Sequence, residues 1–194
     1  MKHIPRLVML AGALALLALF VWPMWKIVLY APQYPTGVEM HIWINKIGGK
    51  EPGVLQNVNI LNHYVGMKFI EPDAIPELQY FQYVILFMVA LGCLAALVNR
   101  GRFFLAWAVL MSLLAIAGLY DFYLWEYDYG HSLSDLAPIK IPGASFQPPL
   151  LGYKDILNFT AVSLPHVAGY FAGAGILLAY LAWWLKRKLT TSVA

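Results

Sequence analysis

The chain has 194 residues, of which 61% are apolar and 12% are charged, whereas soluble globular domains average about 45–50% apolar and about 25% charged residues. This composition excludes a water-soluble globular domain. The net charge of +3 does not indicate a nucleic-acid-binding protein, because the basic residues are distributed as in a membrane protein. The single cysteine, Cys93, excludes an intrachain disulfide and a cysteine-based metal site.

Four long stretches carry no Asp, Glu, Lys or Arg and are candidate membrane spans. They cover residues 7–21, 83–98, 103–119 and 167–185. Extended to their aromatic or polar borders, they predict transmembrane helices at about 7–29, 81–98, 103–125 and 162–185, each close to the roughly 20 residues that a hydrocarbon layer requires. The predicted fold class is an all-α membrane protein with four transmembrane helices, in which residues 1–194 form a single membrane domain.

The first apolar segment follows Lys2 and Arg6, so a cleaved signal peptide is the alternative to a membrane helix. The segment ends in FVWPMWK, residues 20–26, and not in a small-residue cleavage site. We therefore expect a retained helix, in which Pro23 kinks or ends the regular part.

Basic residues indicate the orientation of the four predicted helices. One side collects seven basic residues and no acid: Lys2, Arg6, Arg100, Arg102, Lys186, Arg187 and Lys188. By the positive-inside rule this side is cytoplasmic, so both termini lie inside and the loops 31–80 and 126–161 lie outside. We expect the two sizeable external loops to carry the function of the protein.

The first external loop has the pattern of a β-hairpin. Residues 38–45 alternate with the period of a half-buried strand, residues 48–53 form a turn, and a second strand is predicted near 54–60. Asn62 is expected to cap one helical turn that follows. In the second loop, the prolines of residues 137–149 favour extended connections over helix.

Histidine and methionine side chains on the external side suggest a copper site, because imidazole and thioether are both copper ligands. His63 and Met67 share one face if their segment is helical, and they can meet His131 from the end of span three and His166 from the start of span four. These four residues are the predicted metal ligands. The alternative is that the histidines order the loops through hydrogen bonds and that Met67 belongs to the core.

Two further features lie close to the external membrane boundary. Asp121 is read either as a buried anchor paired with His166 or Lys26, or as part of a proton or metal path. Gly169 and Gly173 predict a face for close helix packing. No nucleotide-binding loop, zinc-protease motif or serine nucleophile motif occurs, so we expect no catalytic residues and a protein that is not an enzyme.

Several distinctive strings resemble a known protein family. They are APQYPTG (31–37), NILNHYVGMK (59–68), YGH (129–131), PIKIPG (138–143), QPPLLG (147–152) and NF (158–159). The chain resembles small integral membrane proteins encoded among nitrous oxide reductase maturation genes in Bacteroidota and related bacteria, beside a copper lipoprotein and an ABC-type transporter.

The resemblance implies an accessory role in the biogenesis or function of a periplasmic copper enzyme that reduces nitrous oxide. Three roles remain open: handling copper or scaffolding maturation factors, feeding electrons to the reductase as a quinol-docking subunit, or serving as a structural partner of a transporter without a cofactor. The expected partners are the lipid bilayer and other membrane or periplasmic proteins of the nitrous oxide reductase system, and the expected cofactor is copper.

Overall fold

The computed structural model describes residues 3–140, 143 and 145–191, and these form five α-helices and five β-strands. The helices are α1 (Ile4–Ala15), α2 (Val54–Val65), α3 (Pro76–Val98), α4 (Gly101–His131) and α5 (Val167–Thr191). The strands are β1 (Trp25–Ala31), β2 (Tyr34–Ile42), β3 (Ile47–Gly49), β4 (Gly152–Ile156) and β5 (Phe159–Pro165). Helices and strands are therefore interspersed along the chain, and both a helical bundle and a sheet are built from distant segments.

The strands form one antiparallel sheet in the order β3-β2-β1-β5-β4. β1 lies at the centre, where Trp25 pairs with Ile42 of β2 on one side and with Pro165 of β5 on the other. Main-chain groups on both edges of β1 are thus hydrogen-bonded, on one side to the adjacent strand of a hairpin and on the other to a strand that is distant in the sequence.

The two faces of the sheet differ because side chains alternate along each strand. Ile27 pairs with Met40 on one face, and both side chains are buried in a cluster with α2. Lys26 pairs with His41 on the other face. We call the face that carries Ile27 and Met40 the apolar face, and the face that carries Lys26 and His41 the opposite face.

The sheet shows that the predicted all-α class with four transmembrane helices is wrong. The predicted first span, 7–29, falls on α1, a 3-10 turn at Leu16–Phe20 and most of β1. Pro23 lies at the break, where its fixed φ and missing N–H oppose a continuous helix. An apolar run fits a membrane span and a buried central strand equally well, and pairing with β2 and β5 selects the strand.

Three helices, α3, α4 and α5, are long and apolar enough to cross a membrane, so the chain is a membrane protein. The shorter apolar segment Ile4–Phe20 packs between α3 and α5, where the side chains of Met9, Ala13 and Leu16 are fully buried. At the start of α4, Gly101 lies beside Lys186 near the end of α5. The basic residues of both segments therefore lie at the end of the bundle remote from the sheet.

Close helix packing in the bundle involves different glycines from those predicted. A Cβ at Gly175 would lie 2.6 Å from the carbonyl oxygen of Gly12, so α1 and α5 approach through their backbones. Gly169 is close to the backbone of Met24, but no atom lies within 4 Å of a Cβ built at Gly173. The predicted packing face is thus only half occupied, and Gly173 faces open space.

The segment predicted as the first external loop folds mainly as β2, β3 and α2. β2 pairs with the short β3, but the second strand predicted near 54–60 is wrong because those residues lie in α2. The buried residues Val54, Val58 and Val65 follow helical spacing and cover the sheet and its neighbouring loop. Asn62 is not an N-terminal cap: it lies in the last turn of α2, which ends at Gly66 with a positive φ.

The predicted second external loop is shifted along the chain, because it starts later and ends later than predicted. α4 continues to His131, beyond the predicted border at residue 125. At the other end, β5 occupies Phe159–Pro165, so α5 begins at Val167 and not at residue 162. Residues 141, 142 and 144 of the predicted extended connection lie outside the described residues.

Candidate metal-binding site

Three side chains that can bind a metal ion converge on the opposite face of the sheet, next to the start of α5. Glu39, His41 and His166 each offer one ligand atom, and these atoms lie within 4.8 Å of one another. Within the described part of the chain, this is the one group of three or more His, Cys, Asp and Glu residues with such spacing.

Strand pairing accounts for this convergence. Glu39 and His41 are two residues apart on β2, so their side chains project from the same face. His166 directly follows β5, and its backbone N–H donates a hydrogen bond to the carbonyl oxygen of Met24 just before β1, at 2.9 Å. Because β1 lies between β2 and β5, His41 and His166 meet across its beginning, with ring centroids 4.9 Å apart.

A hydrogen bond already joins two members of the group. Nε2 of His41 lies 2.8 Å from Oε1 of Glu39, and the two side chains are only 12% and 28% exposed. The hydrogen bond from His41 lowers the pKa of Glu39, assisted by the positive charges of Lys26 and Lys50. The carboxylate is therefore ionised, as a metal ligand must be.

The surroundings of His166 favour its neutral form. Partial burial lowers its pKa, and the neighbouring His41 and Lys26 lower it further. Glu39 and a backbone hydrogen bond to Pro23 oppose this in part. Its Nδ1 is buried and has no hydrogen-bond partner. A neutral imidazole with a free ring nitrogen is what metal coordination requires, because a protonated ring has no lone pair to donate.

The ligand atoms, which lie within 4.8 Å of one another, are up to about 1.4 Å farther apart than they would be around one bound ion. Ligand atoms at about 2.0–2.1 Å from one tetrahedral ion lie roughly 3.4 Å apart. Side-chain rotations would bring the more distant atoms inward, and the metal would replace the hydrogen bond between Glu39 and His41. Two imidazoles and a carboxylate would then leave a further coordination position for water or another donor.

The structure does not bring the predicted ligand set together. His63 is exposed in the last turn of α2 and has Tyr64 and Phe69 as its ring neighbours. Met67 lies beyond Gly66, which ends the helix, so it leaves the face that carries His63 and packs in an apolar cluster.

His131 and His166, the other two predicted ligands, do not lie in one group either. His131 stacks on Tyr127 with ring centroids 4.0 Å apart, and its Nδ1 donates to the carbonyl oxygen of Tyr127 at 2.9 Å. Of the four predicted residues, only His166 lies in the group of three ligands.

Sequence reasoning missed Glu39 and His41 as a pair, although a signal was present. The alternation of β2 separates Met40 from His41, and the same alternation places Glu39 beside His41. Their meeting with His166 had no sequence signal, because 125 positions separate the two histidines and only the order of the strands joins them.

The anchor pairing predicted for Asp121 is not present in the structure, and another acid on α4 is more deeply buried. Asp121 is half-buried, and within the described residues no hydrogen bond or ion pair joins its side chain to His166 or Lys26. Glu126 is only 3% exposed.

Comparisons with protein-family models, with curated proteins and with solved structures give no match for this chain.

Proposed function

We propose that this protein binds a copper ion at Glu39, His41 and His166. The observation that carries the proposal is the approach of three ligand atoms, two of them imidazole nitrogens, within 4.8 Å of one another. Imidazole suits copper, and Cu²⁺ is bound most tightly among the divalent first-row metals by a given set of nitrogen and oxygen ligands. Because a carboxylate replaces the predicted thioether, the ligand set favours copper(II) over copper(I).

On the basis of the sequence resemblance, we propose that the copper-binding protein serves as an accessory protein for nitrous oxide reductase. The separation of charges along the bundle supports the orientation that this role needs. Gly101 and Lys186 lie together at the basic end of the helices, which the positive-inside rule assigns to the cytoplasm. The candidate site lies at the other end, which would face the periplasm of the bacterial inner membrane.

Copper titration of the detergent-purified, metal-free protein tests the site. Electron paramagnetic resonance would show bound Cu²⁺ with hyperfine splitting from two imidazole nitrogens. We expect His41→Asn and His166→Asn each to weaken Cu²⁺ binding by at least about tenfold, since even residues that only orient a ligand contribute 10- to 100-fold. His63→Asn is the matched control, because the same substitution then removes an exposed imidazole outside the group.

Two results would contradict the proposal. One is a parent protein that binds no Cu²⁺ above the level of a protein lacking both His41 and His166. The other is a loss of binding in the His63 variant with no change in the His41 variant, which would favour the ligand set predicted from the sequence alone.

A further inference from the structure

A large apolar cavity lies on the side of the sheet away from the candidate metal site. Its volume is about 1010 Å³, at the upper end of the range for ligand pockets. The apolar face of the sheet contributes Ile27 and Met40 to its wall, and α2, α3, α4 and α5 enclose the rest. The cavity therefore joins the sheet layer to the membrane bundle.

The cavity is elongated along α4. The lining residues of this helix run from Met111 to Tyr129, and the step from Met111 to Glu126 alone corresponds to about 22 Å of helix. α4 has 31 residues, about ten more than a hydrocarbon layer needs. Counted from the basic end, Met111 lies at bilayer depth and Glu126 lies near the opposite membrane boundary.

Glu126 is an unpartnered carboxyl group in this cavity wall. The residue is 3% exposed, and both of its carboxyl oxygens are buried without a hydrogen-bond partner within the described structure. The other two buried polar residues, Asn62 and Ser163, both form hydrogen bonds. A buried polar group costs free energy unless a partner reaches it. Because both carboxyl oxygens are buried, the Glu126 side chain must rotate towards the cavity before a ligand can donate a hydrogen bond to them.

Aromatic residues precede and follow Glu126 along α4. Phe122, Trp125 and Tyr129 lie within one turn of Glu126 and also line the cavity. Trp125 and Tyr129 stack with ring centroids 4.0 Å apart. Aromatic walls favour a flat ring in the ligand, because offset and edge-to-face ring contacts add to the apolar burial.

We propose that this cavity binds a membrane-soluble phenolic amphiphile, an alkyl-substituted phenol or hydroquinone. Its hydroxyl donates a hydrogen bond to the carboxyl group of Glu126, and its ring lies among the aromatic side chains at the membrane boundary. Its alkyl chain runs along α4 towards Met111. The site is independent of the proposed copper site, because the sheet separates the two.

Binding of 4-decylphenol to the full-length protein in lipid nanodiscs, measured by calorimetry against empty nanodiscs, tests the proposal. The methyl ether, 4-decylanisole, keeps the ring and chain but has no donor, and 1-decanol keeps the donor and chain but has no ring. We expect the parent protein to bind each of these at least about tenfold more weakly than 4-decylphenol, as the loss of a buried hydrogen bond or of ring contacts implies.

The variant Glu126→Leu removes the acceptor and replaces an unpartnered carboxyl group with an apolar side chain, so we expect it to fold. It should bind 4-decylphenol and 4-decylanisole with affinities within about threefold of each other. The comparison of two ligands in two proteins forms a thermodynamic cycle that isolates the hydroxyl–carboxyl contact. Glu77→Leu is the matched control: Glu77 also lines the cavity, but its carboxyl group accepts a hydrogen bond from Tyr80. It should retain the parent preference for the phenol.

Three outcomes would overturn the proposal. The parent protein could bind the anisole as tightly as the phenol, or Glu126→Leu could keep the preference for the phenol. Equal binding of 1-decanol and 4-decylphenol would remove the argument for a ring. None of these results bears on copper binding, so the two proposals fail separately.

Discussion

Replacing Gly175 with alanine should loosen the contact between α1 and α5. The added Cβ would lie 2.6 Å from the carbonyl oxygen of Gly12, whereas ordinary contacts begin near 3.4 Å. The obstructing atom belongs to a helix backbone, so it cannot move aside as a flexible side chain does. Overpacking of this kind costs about 1–3 kcal/mol, which corresponds to a fall in Tm of roughly 2–12 °C for a chain of this size.

Thermal unfolding in one detergent, followed by circular dichroism, measures this effect. Gly173→Ala is the matched control, since it makes the same change two residues away on α5, where no atom lies within 4 Å of the new Cβ. Alanine also exceeds glycine in helix propensity by up to about 1 kcal/mol, so the control should be unchanged or slightly more stable. Equal Tm values for the two variants would refute the backbone contact.

Three other predictions follow from the same structure. Trp107→Phe should cost about 1–3 kcal/mol of unfolding free energy, because it removes the buried 2.8 Å hydrogen bond from Nε1 to the carbonyl oxygen of Met88, and denaturation of the two proteins would show this difference. The lowered pKa of His166 means that the unfolded chain binds more protons, so the metal-free protein should lose stability as the pH falls below about 6.5; His166→Asn should reduce this loss, and an unchanged pH profile would contradict it. A reporter enzyme that is active only in the periplasm should be active when fused after Ser145 and inactive when fused at Gly101, and the reverse pattern would invert the orientation.

Membrane character could be predicted from the sequence because it depends on local composition. Stretches without charged residues identify α3, α4 and α5, whatever their neighbours are. The grouping of the basic residues was equally accessible, and the structure places Gly101 beside Lys186 as that grouping implies. These inferences need only the number of residues per span and the side on which each loop falls.

The sheet was not accessible in this way. Residues 25–31 are apolar enough to extend a membrane helix, and only pairing with β2 and β5 makes them a central strand. The same limit applies to α2, whose first residues have the composition of a strand but pack on the sheet with helical spacing. For short apolar runs the local preference is weak, so long-range packing decides between helix and strand.

For the candidate sites, the sequence indicated the types of residue involved but not which residues meet in space. The ligand types, histidine with an acidic or sulfur-containing neighbour, were visible in the sequence, and His166 was among the residues chosen. Its neighbours were not, because His41 reaches His166 only through the order of three strands, while Gly66 ends α2 and turns Met67 away from His63. Glu126 likewise becomes distinct from Asp121 only in the folded structure, because burial and missing partners are properties of the packed chain.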